Sequence, residues 1–285
     1  MSQTKKPQCH FISNTHWDRE WYRSFQEFRL KLALLVDGLL EILAADGDFK
    51  YFMLDGQTIV LDDYLLMRPE NEQILREHIR SGRIVIGPWH ILPDMFLVGP
   101  EAHIRNLLEG ERTARKFGPK MMVGYMPDSF GHIGQMPQIL NGFGIENACL
   151  WRGLDEEPAE FWWQSPDGSR VLMAYLRESY SNGAYLPGGD SLKGDESGME
   201  RFTETIAELG QTLAEHSNAD DMLIMLGTDH MRPSPNTARN IAGANARLSQ
   251  CKENPTRVIH STLETYFAAV RAGLDAGDPI LLPTV

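Results

Sequence analysis

The chain reads as an α/β protein built on a mostly parallel sheet with helices packed outside it. Three observations predict this. Short apolar runs alternate with amphipathic helical segments along all 285 residues. No repeat of solenoid period and no low-complexity tract interrupts the alternation. Residues able to do chemistry, among them His16, Asp18, Asp55, Asp94, Asp128, Arg152, Asp229 and His230, closely follow the strand-like runs. In a parallel sheet such positions share one face, where barrels and open sheets both carry their sites. The alternation alone leaves barrel and doubly wound sheet open.

Residues 9–13 form the first expected strand. Ser24 with Glu27 three residues on makes a capping box, opening a helix to about residue 45 whose apolar stripe is Leu32, Leu35, Val36, Leu39, Leu40 and Leu43. A strand at 51–54, helices at 58–67 and 70–80, and a strand at 83–86 follow. The period of 101–117 is helical, and Gly118-Pro119 closes that helix. Then come a strand at 121–125, a short helix at 136–143 and a strand at 147–151. Segments 161–164 and 170–175 read as a hairpin appended to the core. Residues 179–198, rich in Gly, Ser, Asp and Asn, read as a long surface loop of the kind that often serves as a lid. A helix at 199–215, a strand at 222–226, a helix at 236–249 and a strand at 257–260 complete the pattern, with Ser261 capping a last helix to about 272.

With 42% hydrophobic and 23% charged residues, the composition is that of a globular chain able to form one large domain over 1–285. A net charge of -12 without any Lys/Arg-rich block argues against a nucleic-acid partner and suits a neutral polyol. No run of about 18 apolar residues and no signal-peptide core is seen, so the expectation is a cytoplasmic protein with no membrane partner. The three cysteines, Cys9, Cys149 and Cys251, form no C-x-x-C pair, so neither a disulfide framework nor a thiolate zinc site is expected. Cys9 and Cys149 read as small buried hydrophobes.

Each polar motif has a plain reading beside the chemical one. His16 and Asp18, two apart, can reach one divalent ion, or can be a simple loop hydrogen bond. Trp17 and Trp21 can grip a sugar face or pack under the first helix. Asp128 can be a nucleophile or a turn cap. Asp229-His230 can be a turn pair, and Arg152 can simply pair with the acidic run Asp155-Glu156-Glu157. His10, His78, His103, His216 and His260 are assigned structural roles. What favours chemistry is the joint occurrence at strand ends.

Four separated strings, His16-Trp17-Asp18-Arg19-Glu20-Trp21, Gly87-Pro88-Trp89 with Asp94, Pro127-Asp128-Ser129-Phe130-Gly131-His132 with Gln135-Met136-Pro137, and Gly227-Thr228-Asp229-His230, occur in this order. Together they resemble the N-terminal catalytic region of glycoside hydrolase family 38, the α-mannosidases, over residues 8–270. The bacterial branch, with its mannosylglycerate hydrolases, looks most similar. The resemblance implies a seven-stranded β/α barrel and a retaining α-mannosidase with one divalent metal ion, usually zinc. It implies His16, Asp18 and Asp128 as metal ligands, with His230 the candidate for a fourth. Asp128 would be the nucleophile and Asp229 the general acid/base. Trp21, Asp94 and Arg152 would bind a carbohydrate substrate. Family members are much longer, so the chain reads as an N-terminal fragment of a multidomain enzyme, with any homo-oligomer formed through domains beyond it. A metal-dependent polysaccharide deacetylase, and a metal- or sugar-binding domain inactive in isolation, are the alternatives.

Overall fold

A computed structural model of the protein describes residues 8–186, 196–250, 256–273 and 281–282. In chain order the elements are β1 (Gln8–Ile12), α1 (Phe25–Ala45), β2 (Phe52–Met53), α2 (Ile59–Leu65), a 3-10 turn (Pro69–Asn71), α3 (Glu72–Arg80), β3 (Ile84–Val85), α4 (Pro100–Phe117), β4 (Val123–Met126), α5 (Met136–Gly142) and β5 (Asn147–Leu150). They continue with β6 (Glu160–Gln164), β7 (Arg170–Tyr175), α6 (Glu196–Ala214), β8 (Asp221–Met225), α7 (Thr237–Leu248), β9 (Arg257–His260), α8 (Leu263–Gly273) and β10 (Leu281–Leu282). The α/β alternation with mostly parallel strands is as the sequence predicts.

The strands lie in three sheets, ordered β8-β1-β9, β10-β6-β7-β5-β4 and β2-β3, with β6–β7 the one antiparallel pair among the described residues. Continuous ladders do not close these into a seven-stranded barrel. Single backbone bonds link them instead: Met53 N–H to Ser13 O, Met121 N–H to Ile86 O and Gly183 N–H to Met225 O, each 2.8 Å. The physical reason is the shortness of β2 and β3. β2 is ended by Asp55 and Gly56, both at positive φ, and β3 by Gly87-Pro88, where proline has no N–H to give a ladder.

Both faces of β1 are buried, as befits a central strand of a parallel sheet. Cys9 and Phe11 pack with Phe202, Ile206 and Ile224 under α6 and α7, while Ile12 faces an inner cluster with Tyr125, Leu172 and Met225. The stripe on α1 is buried as its spacing requires, and Glu27 accepts from the Ser24 N–H and hydroxyl at its start. Cys9 and Cys149 are buried and free; Cys251 lies outside the described residues.

Three local expectations are corrected. The hairpin is real but not appended, because β7 pairs in parallel with β5 and is buried within the large sheet. The segment read as a surface loop begins as core: Tyr180 is only 7% exposed, and the Asn182 amide donates to Leu223 O and accepts from Met225 N–H, tying it to β8. Residues 187–195 of that segment lie outside the described residues, and the helix after them begins at Glu196 rather than 199. The hydroxyl capping α8 belongs to Thr262, which accepts from Thr265 N–H, while Ser261 bonds His10.

Candidate active site

The ends of β1 and β8 are stitched together. His16 and Asp229 form a parallel bridge, His16 N–H donates to Thr228 O, and His230 N–H returns to His16 O at 2.8 Å. Gly227 allows the approach: a Cβ there would stand 1.8 Å from the Asn14 carbonyl oxygen. This fixes Asp229 beside His16 although they are far apart in sequence.

His16 is the hub. Its Nδ1 lies 3.2 Å from Asp55 Oδ1, and Asp55 is wholly buried, its other oxygen accepting from Trp17 N–H at 2.7 Å and from the Gln57 amide at 2.8 Å. With Nδ1–H donated to Asp55, Nε2 is the nitrogen left over, and it is buried and has no hydrogen-bond partner. That nitrogen stands 3.6 Å from Asp18 Oδ1 and 3.8 Å from Asp128 Oδ2.

Asp128 divides its two oxygens. Oδ1 accepts from Arg152, 2.8 Å from Nε, while Oδ2 faces His16. The Arg152 guanidinium is held between the Trp151 and Phe130 rings at 4.1 and 4.3 Å, a cation–π sandwich that fixes its plane. Ser129 donates to Pro93 O, and the His132 ring donates to Arg152 O, fastening the β4–α5 loop to its neighbours. His16, Asp18, Asp94, Asp128 and Phe130 line a common cavity of about 180 Å³.

Electrostatics follow from burial and crowding. Burial pushes the His16 imidazole down, but the charge of Asp55, the bond Asp55 accepts from Nδ1–H and the nearby Asp18 carboxylate outweigh it and hold its pKa well above the ordinary value. Burial raises Asp18, yet the neighbouring His16 imidazole, with His230 adding, brings it below the usual carboxylate range. Asp55 is held above that range by burial, which outweighs His16. Four carboxylates around one imidazole and one guanidinium leave the site short of positive charge.

Among the described residues, no three His, Cys, Asp or Glu side chains are already gathered tightly enough to form an ion site. Donor atoms around a tetrahedral zinc stand about 3.3 Å apart, from bonds of roughly 2.0–2.2 Å. The two separations from His16 Nε2 exceed this by only a few tenths of an ångström. A buried bare imidazole nitrogen facing two carboxylates therefore fits a divalent cation.

The remaining candidates divide. Asp229 Oδ1 accepts from the Tyr180 hydroxyl at 2.9 Å. His230 donates Nε2–H to the Asp18 carbonyl at 3.1 Å and stacks on Phe28 at 4.1 Å, so it braces the Asp18 loop from behind. Trp21 is 64% exposed, edge-on to Tyr22, and does not line the cavity; Trp17 is buried against Phe28 under α1.

The model of the glycosyl hydrolases family 38 N-terminal domain matches residues 6–280, nearly the entire chain. The chain belongs to glycosyl hydrolase family 38. A protein of Halalkalibacterium halodurans named for mannosylglycerate hydrolysis is 42% identical over 240 residues, which cover 79% of this family 38 chain and 26% of that relative. An α-mannosidase of Enterococcus faecalis V583 of known structure superposes with a TM-score of 0.86 at 32% identity, covering 97% of this chain and 30% of the other. The family 38 chain thus spans under a third of each. A Mycobacterium smegmatis protein named as a polysaccharide deacetylase shares the fold alone, with a TM-score of 0.57 at 13% identity.

Two residues of this family 38 site escape the motif reading. Asp55 is marked by its strand-end position but belongs to none of the four strings, and its tie to His16 spans 39 residues. Tyr180 sits in a segment whose composition signals a loop, yet its ring lies 4.9 Å from that of His16 and 5.2 Å from that of Trp151. Burial raises its hydroxyl pKa first, with Asp128 and Asp229 adding.

Proposed function

We propose that the protein carries the catalytic region of a retaining, metal-dependent α-mannosidase acting on terminal α-mannosyl groups of oligosaccharides or mannosylglycerate-like glycosides. The observation that carries this reading is His16: its Nδ1 is fixed by Asp55, its bare Nε2 faces Asp18 and Asp128, and its backbone is bridged to Asp229. His16 Nε2, Asp18 and Asp128 would hold one divalent ion, with zinc the candidate; His230 is assigned to the Asp18 carbonyl instead. When bound, such an ion supplies Lewis acidity and a template for sugar hydroxyls.

The chain's own residues supply the rest. Asp128 attacks the anomeric carbon, and Arg152, spending its bonds on Oδ1, orients the carboxylate for that attack. Asp229, fixed by Tyr180, protonates the departing glycosidic oxygen and then takes a proton from the water that releases the sugar. Two inversions at one carbon give net retention. A seven-stranded barrel belongs to the same reading and is supported by the single bonds that join the three sheets.

The test is hydrolysis of an α-mannosyl aryl glycoside with metal analysis of the purified protein. About one ion per chain, mannose released first as the α-anomer, and loss of turnover in Asp128→Ala by at least about 10³-fold with an unchanged circular-dichroism spectrum are expected. Full activity in that variant, or release of acetate from acetylated sugars without glycoside cleavage, would overturn the reading.

A further inference from the structure

Asp128 and Asp229 reach the site from different sheets. Asp128 follows β4 in the five-stranded sheet, and Asp229 follows β8 in the three-stranded one. A retaining glycosidase needs its two carboxyl groups about 5–5.5 Å apart. Because the sheets are joined only by single backbone bonds, side chains must set that separation.

Trp151 stands where it can do so. β5 lies between β4 and β7 in the sheet, and Trp151 is the residue just past its end. The loop after β4 carries Asp128, and the segment after β7 carries Tyr180. Trp151 touches the partner of each carboxylate. The Arg152 guanidinium lies 4.1 Å from its ring and donates through Nε to Asp128 at 2.8 Å. The Tyr180 ring meets it edge-on at 5.2 Å and 81°, and the Tyr180 hydroxyl donates to Asp229 at 2.9 Å. Both contacts depend on the face and edge of the indole, so an aliphatic side chain would occupy the space without fixing either partner. Phe130 differs, since it holds Arg152 at 4.3 Å and makes no ring contact with Tyr180 among the described residues.

We propose that Trp151 is a positioning residue that sets the Asp128 and Asp229 carboxyl groups against each other, acting through Arg152 on the first and Tyr180 on the second. It does not line the Asp128 cavity, so its effect on turnover passes through these two neighbours. The effect on turnover rests on the glycosidase reading, but the spacing itself does not.

Proton exchange with water, read by NMR on the whole chain, tests the spacing without any need for turnover. In Trp151→Met the Arg152 Nε–H and the Tyr180 hydroxyl should both exchange about tenfold or more faster. The Trp89 Nε1–H, which donates to Tyr125 O at 2.9 Å, reports on the fold at large and should not change. Trp151→Phe restores a ring and should recover both signals, whereas Phe130→Leu should loosen Arg152 alone. Trp151 is only half-buried, so these variants should fold, which their thermal transitions check. With an α-mannosyl aryl glycoside, Trp151→Met should lower kcat by about 10²-fold at a KM within about twofold, and Trp151→Phe should recover most of the loss. Faster exchange at only one of the two groups, faster exchange at Trp89 as well, or equal losses in the Met and Phe variants would each overturn the proposal. A wild-type chain that leaves the glycoside intact would instead count against the glycosidase reading, with the exchange measurement still deciding the role of Trp151.

Discussion

Two histidines six residues apart on the same stretch of chain meet very different fates. His10 is buried with both ring nitrogens engaged, Nε2 on Asp221 and Nδ1 on Ser261, each at 2.9 Å, and Tyr266 edge-on at 5.4 Å. Around it Glu160 accepts from the Tyr266 hydroxyl, from Ser217 and from Asn218 N–H. His16, equally buried, has only Nδ1 engaged and leaves Nε2 bare beside two carboxylates. The residue types are the same. The difference is hydrogen-bond satisfaction: a closed network holds β1 to β8 and β9, whereas an open one is poised to take something from outside.

That contrast can be broken. The largest expected effect is the loss of turnover in Asp128→Ala with the fold retained. Its mirror is Asp221→Ala, which leaves His10 buried without its carboxylate. It should cost about 3 kcal/mol of stability in urea denaturation while turnover per folded molecule persists. Loss of turnover at full stability would show that the two networks do not divide as described.

Acid titration adds a comparison with a third histidine. His260 is held near a pKa of about 4 by burial, below the ordinary imidazole value of 6.5. Between those values the unfolded chain binds the extra proton, so stability should fall as pH drops from 6.5 towards 4, by about 3 kcal/mol in full. His260→Gln should flatten that slope, and an unaltered slope would remove His260 as its source. His16 has the opposite sign: its folded pKa is raised, so in metal-free protein its contribution is present below about 6.5 and lost as pH rises through the folded value.

The smallest predicted change sharpens the role of Asp55. Asp55→Asn keeps the shape but no longer holds Nδ1–H by charge, and should weaken zinc binding by about 10–100-fold in competition with a chelator. Unchanged affinity would make Asp55 a purely structural buried acid.

Sequence alone determined the alternation of strands and helices, because apolar periodicity is a local property that survives in almost any packing. It also marked the strand-end positions, where His16, Asp18, Asp128 and Asp229 stand, and the helix start at Ser24 with Glu27. Only the tertiary structure decided partners. Arg152 had an acidic run three residues away, yet its guanidinium turns to Asp128, 24 residues back, because Trp151 and Phe130 fix its plane. Tyr180 lay in a stretch whose Gly and Ser content signals a loop, but packing against Trp151 and the bonds from Asn182 to β8 draw it into the core. Asp55 became the partner of His16 because the ends of β1 and β2 meet. Composition and spacing describe a residue's neighbours in the chain, and the bare nitrogen at His16 is a consequence of its neighbours in space.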